Sequence, residues 1–305
     1  GTLNPSSGDV SVFLPLEHTL LSRAVDANQR TATFARYSLI GSLLAALGSL
    51  FAAVPDYVVA SLHIDRKPVM QAMFLLYGGI GLVCWGIYRA IPWCIESEAP
   101  VQAAPLRESK KIVYSLSALF CIDSFGGGFI VQSLLALWLY QKFDLSTIVA
   151  GTIFFWTGIL SAFSYLVAAR IANRFGLVRT MVFTHLPANI LLVLVPFMPT
   201  LGWAISLLLL RSALSQMDVP TRSSYVMAVV PQDERAAAAS VTAVPRSLAS
   251  AVSPMLAGYM LSASTFGWPL VVAGSLKIAY DLLLLAMFGK VSPPEEARSN
   301  TERQQ

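Results

Sequence analysis

Apolar residues run along this chain in long blocks, broken at intervals by charge or by Pro and Gly, instead of alternating with polar ones at the short periods of a soluble fold. A helix needs roughly 20 mostly apolar residues to cross the hydrocarbon core of a bilayer. Eight blocks reach that length, at about 31–54, 69–91, 111–141, 147–169, 178–197, 201–230, 236–262 and 267–289. Residues 1–22, with VSVFLPLEHTLL at their centre, predict a ninth helix that is polar or cut short. Period-two alternation is absent over any useful length, which speaks against a membrane barrel. The pattern predicts an all-α, polytopic membrane protein.

Composition agrees: 55% of the residues are hydrophobic and only 12% charged, against about 25% charged in an ordinary soluble domain. The formal charge of +4 comes from basic residues dispersed in short loops, not gathered into a stripe, so nucleic acid is not an expected partner. Cys84, Cys94 and Cys121 have neither paired nor metal-ligand spacing. No metal, cofactor or disulfide is expected, and no phosphate-cradling glycine loop points to ATP.

Charge in the loops gives orientation. Arg23 and Arg30, then Arg89, Arg107, Lys110 and Lys111, then Arg170, Arg174 and Arg179, then Arg235 and Lys290 fall on connections of one parity. The opposite parity carries only Arg66, Lys67 and Lys142. The positive-inside rule puts the first set, and with it the C-terminus, in the cytoplasm. SEAPVQAAPLRESKK is polar and proline-bearing, and we read residues 92–110 as a cytoplasmic linker. It divides the remnant of an N-terminal bundle (1–91) from a C-terminal six-helix bundle (111–290), with a disordered tail at 291–305.

An internal echo supports two halves. Asp9-Val10, Arg36 and Gly48 recur as Asp218-Val219, Arg246 and Gly258, and VDANQR ending at Arg30 echoes VPQDER ending at Arg235. Parallel repeats joined by a cytoplasmic linker are a common build of secondary transporters, with the substrate site between the halves near the midplane. With six helices after the linker and three before it, about three helices are expected to be missing from the front. Those missing helices of the same protein would then be partners of this chain.

The segment ARIANRFGLVRT, residues 169–180, resembles the loop signature of the major facilitator superfamily, Gly-x-x-x-Asp-Arg-x-Gly-Arg-Arg, in its second-half copy. Arg174 and Gly176 match, and Arg179 supplies a displaced basic residue; Ala169 stands for the leading glycine and Asn173 for the aspartate. VDANQRTATFA and VPQDERAAAAS resemble the family's loops before helices five and eleven. The resemblance implies helices four to twelve of a twelve-helix fold and a gating role for Asn173, Arg174, Gly176 and Arg179. The glycine-proline motif of drug antiporters is absent from SLIGSLLAALGSL.

Polar residues inside the apolar blocks are the candidate site. Arg211, Ser215, Asp218 and Arg222 fall at i, i+4, i+7 and i+11, which would stack them on one helical face. A charge at the bilayer centre costs about 2.5–3.5 kcal/mol on the insertion scale, so such groups face a cavity or a partner. Arg222 either joins that stripe or pairs with Asp218 and snorkels to the edge, while Pro220 predicts a kink. IDSFGGGFIVQ, residues 122–132, places Asp123 before three glycines. Each glycine costs about 1 kcal/mol relative to alanine in a helix interior, so a broken helix beside a cavity and close helix packing both remain open. Gln132 lies in the same block.

Arg246, eleven residues past Arg235, lies about 16 Å inward at 1.5 Å per residue, lining a cavity or meeting a carboxylate such as Asp218. Asp9 and Arg36 are the first-half analogues. Lys277 and Asp281, one turn apart, read as a structural pair, and His185 as a satisfied core histidine, with a proton carrier as the alternative. The expectation is a permease, not an enzyme: a secondary active transporter moving a small solute by alternating access, coupled to protons or another gradient, in a plasma membrane, here a bacterial inner membrane. The alternatives are a receptor or sensor, a non-transporting remnant, or an intramembrane enzyme.

Overall fold

The computed structural model describes residues 14–289, except 24, 27–28, 52–53, 91–103 and 146. Every regular element among the described residues is helical. Before the expected linker come α1 (Leu14–Arg23), α2 (Arg30–Phe51), α3 (Val54–Leu62) and α4 (Arg66–Ala90). After it come α5 (Lys110–Gly128), α6 (Gln132–Phe143), α7 (Thr147–Phe175), α8 (Leu177–Leu194), α9 (Leu201–Ser215), α10 (Asp218–Ala228), α11 (Arg235–Ala263) and α12 (Trp268–Phe288). Asp9 and the tail at 291–305 lie outside the described residues, as does most of the linker.

Six helical stretches are long and apolar enough to cross a membrane: Arg30–Leu62, Arg66–Ala90, Lys110–Phe143, Ile148–Phe175, Leu177–Phe197 and Trp268–Phe288. The other two expected blocks are helical as well, as α9 with α10 and as α11, but their apolar character is diluted. Arg211, Asp218 and Arg222 interrupt the former, and Arg246 and a run of serines the latter.

Two spans are broken at mid-length. Helix α5 stops at Gly128, and the N–H groups of Phe129 and Ile130 bond back to the Gly126 and Gly127 carbonyls at 3.3 and 3.1 Å before α6 begins. Both readings of the glycines hold. A Cβ on Gly128 would stand 2.0 Å from Ser253 Oγ and 2.6 Å from the Ser250 carbonyl, so only glycine lets α11 approach this closely.

The second break is the interruption expected from Pro220, displaced one turn upstream. Regular helix is interrupted at Gln216 and Met217, where Met217 and Val219 donate short-range bonds to the Leu214 and Gln216 carbonyls. Pro220 falls in the first turn of α10, where the missing N–H costs nothing. Its ring excludes the Gln216 carbonyl from a regular turn and forces the break upstream. Arg211 and Ser215 therefore end one helix and Asp218 and Arg222 begin another, so the expected stripe is not one face of a continuous helix.

Helix α2 packs along α7, α5 along α11, and α8 along α12, while α10 lies against α8 and α2. Thr31 Oγ1 donates to Ser224 Oγ at 2.7 Å across the α2–α10 contact. The buried apolar residues form two separate clusters. One holds Phe34, Leu116, Phe120, Met181, Tyr225, Tyr280 and Leu284; the other holds Phe129, Trp138, Leu192, Leu208, Leu261 and Leu270. Along α5, α8 and α11 the gap between the clusters is filled by Asp123, by His185 with Asn189, and by Arg246 through Ser253, all buried at the two ends of those runs. A polar layer thus lies between two apolar ones at mid-height.

Candidate functional site

Asp123 is the hub of that layer. Its Oδ1 accepts from Lys277 Nζ on α12 at 2.5 Å, and its Oδ2 from Arg222 on α10 at 2.8 Å. The same guanidinium nitrogen also bonds Asp218, one turn back, and the guanidinium stacks over the rings of Phe120 and Tyr280 at 5.1 and 5.8 Å. His185 links a third carboxylate: its Nδ1 lies 2.9 Å from Asp281 Oδ1 and its Nε2 3.9 Å from Asp123 Oδ1. Asn189, one turn along α8, donates to Asp281 Oδ2 at 2.8 Å. With Asp281 ionised, Nδ1 carries the proton and donates it to Asp281, while Nε2 faces Asp123 from beyond hydrogen-bond distance. Four helices, α5, α8, α10 and α12, are stitched together by charge-assisted bonds where an isolated charge would be costly.

Beside this network lies a cavity of about 520 Å³, within the range of small-molecule sites. Asp123, Arg222 and Lys277 supply one polar wall, Arg211 and Arg246 further cations, and Ser161, Ser212 and Ser250 neutral hydroxyls. Ile40, Leu44, Leu135 and Phe154 supply apolar parts of the same lining.

The sequence-predicted residues divide as follows. Asp123, Arg211, Arg222, Arg246 and Gln132 line the cavity together. Arg222 is buried and doubly paired, not snorkelling. Asp218 is buried behind Arg222 and is absent from the wall. Arg36 is exposed and is not part of this cavity's lining. The reason is register: α2 starts at the buried Arg30 and α11 at the buried Arg235, so Arg36 lies six residues into its helix and Arg246 eleven into its own. At 1.5 Å per residue their depths differ by about 7 Å.

Three participants were missed. Lys277 and Asp281 do not pair with each other; Lys277 reaches α5 and Asp281 reaches α8. Asn189 completes the group. The available signal was two polar pairs at i, i+4, His185 with Asn189 and Lys277 with Asp281, each on an otherwise apolar helix.

At the expected cytoplasmic end, Arg174 and Arg179 are exposed, as is Asn173. Gly176 separates α7 from α8 at φ +89°, a conformation that L side chains rarely adopt. Glu234, in the turn before α11, holds the start of α5. Its carboxylate accepts the Ser109 hydroxyl and the backbone N–H groups of Arg107, Glu108 and Ser109, at 2.9, 3.0 and 3.2 Å for the three amides. These bonds, the Ser109 hydroxyl foremost, favour the ionised form and hold Glu234 below the ordinary carboxylate range.

An all-α bundle of membrane-spanning length, with broken helices around a charged central cavity, defines a polytopic membrane protein built like a solute carrier. The family model of the Major Facilitator Superfamily matches residues 8–242 and 116–305, and the chain belongs to that family, whose members are generally transporters of small solutes and not enzymes. The chain is also similar to an uncharacterized membrane protein, YJR124C, of Saccharomyces cerevisiae. The two are 23% identical over 323 residues, covering 94% of this chain and 72% of the yeast protein.

Proposed function

We propose that this chain is the solute-translocating part of a secondary active transporter that works by alternating access, with its C-terminus in the cytoplasm and a coupling proton carried by the buried network. One observation carries the reading: the charged groups of five helices converge on a cavity at mid-height instead of pairing away from it. A purely structural ion cluster would have no use for the space beside it. The place for the proton is the directly bonded group of three carboxylates (Asp123, Asp218, Asp281) and two cations (Arg222, Lys277) around His185. His185 lies between Asp123 and Asp281, so the proton can pass from the cavity wall to a site behind it.

Alternating access is testable without knowing the substrate. A single cysteine at Ser161, on the cavity wall, in a background with Cys84, Cys94 and Cys121 changed to serine, is exposed to an impermeant thiol reagent. The reagent is added to intact cells and, separately, to inside-out vesicles. Reaction from both sides is expected; reaction from one side alone rejects the transport reading.

A further inference from the structure

We infer that the cavity takes a small organic anion, a carboxylate or phosphate ester on a compact apolar body; this rests on the transport reading of the same cavity. Each carboxylate near the site is already engaged: Asp123 by Arg222 and Lys277, Asp218 by Arg222, Asp281 by His185 and Asn189. Arg211 lines the cavity, yet among the described residues it has no hydrogen-bond or ion-pair partner, and its Nε is buried without one. It stands ten residues from the start of α9, about 15 Å along the helix axis, where water alone is a poor counter-charge. Its nearest serine neighbours on the wall, Ser212 and Ser215, are neutral; Ser212 Oγ is spent on the Leu208 carbonyl.

Among the described residues no carboxylate bonds Arg211 directly, which leaves its donors to an anion held in the cavity. A guanidinium presents paired N–H donors that match the two oxygens of a carboxylate or phosphate, and Ile40, Leu44 and Phe154 offer the ground for an apolar body. A cationic solute meets the opposite situation. The carboxylate on the wall, Asp123, is doubly bonded to protein cations, and an amine would have to displace them.

The test reads the charge preference of the cavity through the Ser161 cysteine. Its rate of modification is measured with anionic sulfonatoethyl and cationic trimethylammonioethyl methanethiosulfonate, each normalised to its rate with free cysteine in solution. The anionic reagent is expected to be favoured, and Arg211→Gln to lower the anion-to-cation ratio by about tenfold, as removal of one unit charge ~6 Å away in water would. Arg211→Lys should retain most of the preference, and Arg170→Gln, at an exposed end of α7, all of it. Benzoate and phenyl phosphate should protect the cysteine and benzylamine and benzyl alcohol should not. Which of the two anions protects at lower concentration distinguishes a carboxylate from a phosphate ester. A normalised preference for the cationic reagent, a ratio unmoved by Arg211→Gln, or protection by benzylamine in place of the anions overturns the inference. Should Arg211→Gln fail to fold, the parent's reagent preference and the protection series decide. All of these results are independent of whether the cysteine reacts from both faces, which judges transport itself.

Discussion

Asp123→Asn removes one charge from a site where two cations converge. Arg222 keeps Asp218, but Lys277, which is buried, loses its bonded carboxylate. Leaving one partner of a buried pair uncompensated costs about 3–5 kcal/mol, whereas replacing both partners by groups of similar volume is often neutral. The amide oxygen still accepts one hydrogen bond, so the lower end, about 3 kcal/mol, is expected. At ~2 °C per kcal/mol for a chain of this size, that is a fall in Tm of about 6 °C. Adding Lys277→Met should restore most of the loss, because no cation is then stranded. The assay is thermal unfolding of the purified protein in lipid nanodiscs for the parent, each single variant and the double, analysed as a cycle. A double variant no more stable than Asp123→Asn, within about 0.5 kcal/mol, would refute the pairing on which the polar layer is built.

Other consequences are independent of that cycle. Glu234 has its pKa lowered on folding, so the bonds it makes to the start of α5 contribute fully above the unfolded value of about 4.3 and are lost as pH falls through the lowered one. Protection factors of the amides at residues 107–109 should be high at pH 7 and fall in acid as the carboxylate is protonated, and Glu234→Gln should remove that dependence; the same pH dependence in the variant would contradict it. Gly128→Ala drives a methyl into Ser253 and the Ser250 carbonyl and should cost about 1–3 kcal/mol, whereas Gly127→Ala meets only the flexible end of Lys277 at 3.8 Å and should be tolerated. Equal unfolding temperatures for the two would remove the close α5–α11 contact. In cells, an impermeant reagent should leave a cysteine at Glu108 unlabelled and modify one at Ser61, both exposed positions; the reverse pattern would invert the orientation given by the loop charges.

Much of the architecture was legible because a bilayer leaves few choices: a long apolar block must be a helix, and a charge inside one must find a cavity or a partner. Asp123, Arg211, Arg222 and Arg246 stood out on that ground. What the sequence withheld was which helix each charge would cross to. Lys277 and Asp281 lie one turn apart and satisfy the local rule for an ion pair, yet the close approach of α5 and α8 to α12 offers each a buried partner in better geometry. Pro220 announced an interruption of its helix, though not at its own position. Proline's effect falls on the carbonyl four residues before it, so the visible residue and the distorted one are not the same. Arg36 misled through a sequence echo whose register differs by five residues from the one set by Arg30 and Arg235.

Reciprocal motion of the two ends of the bundle tests the central claim most directly. Spin labels on cysteines at Arg89 and Arg179 report the expected cytoplasmic end, and labels at Ser61 and Ala263 the outer end, all at exposed positions. Distances measured by double electron–electron resonance in nanodiscs at pH 5 and pH 8 should show two populations at each end. The cytoplasmic pair should lengthen under the condition in which the outer pair shortens, and Asp123→Asn should freeze the balance. A single unchanging distance at both ends, or ends that open together, would contradict alternating access around this cavity.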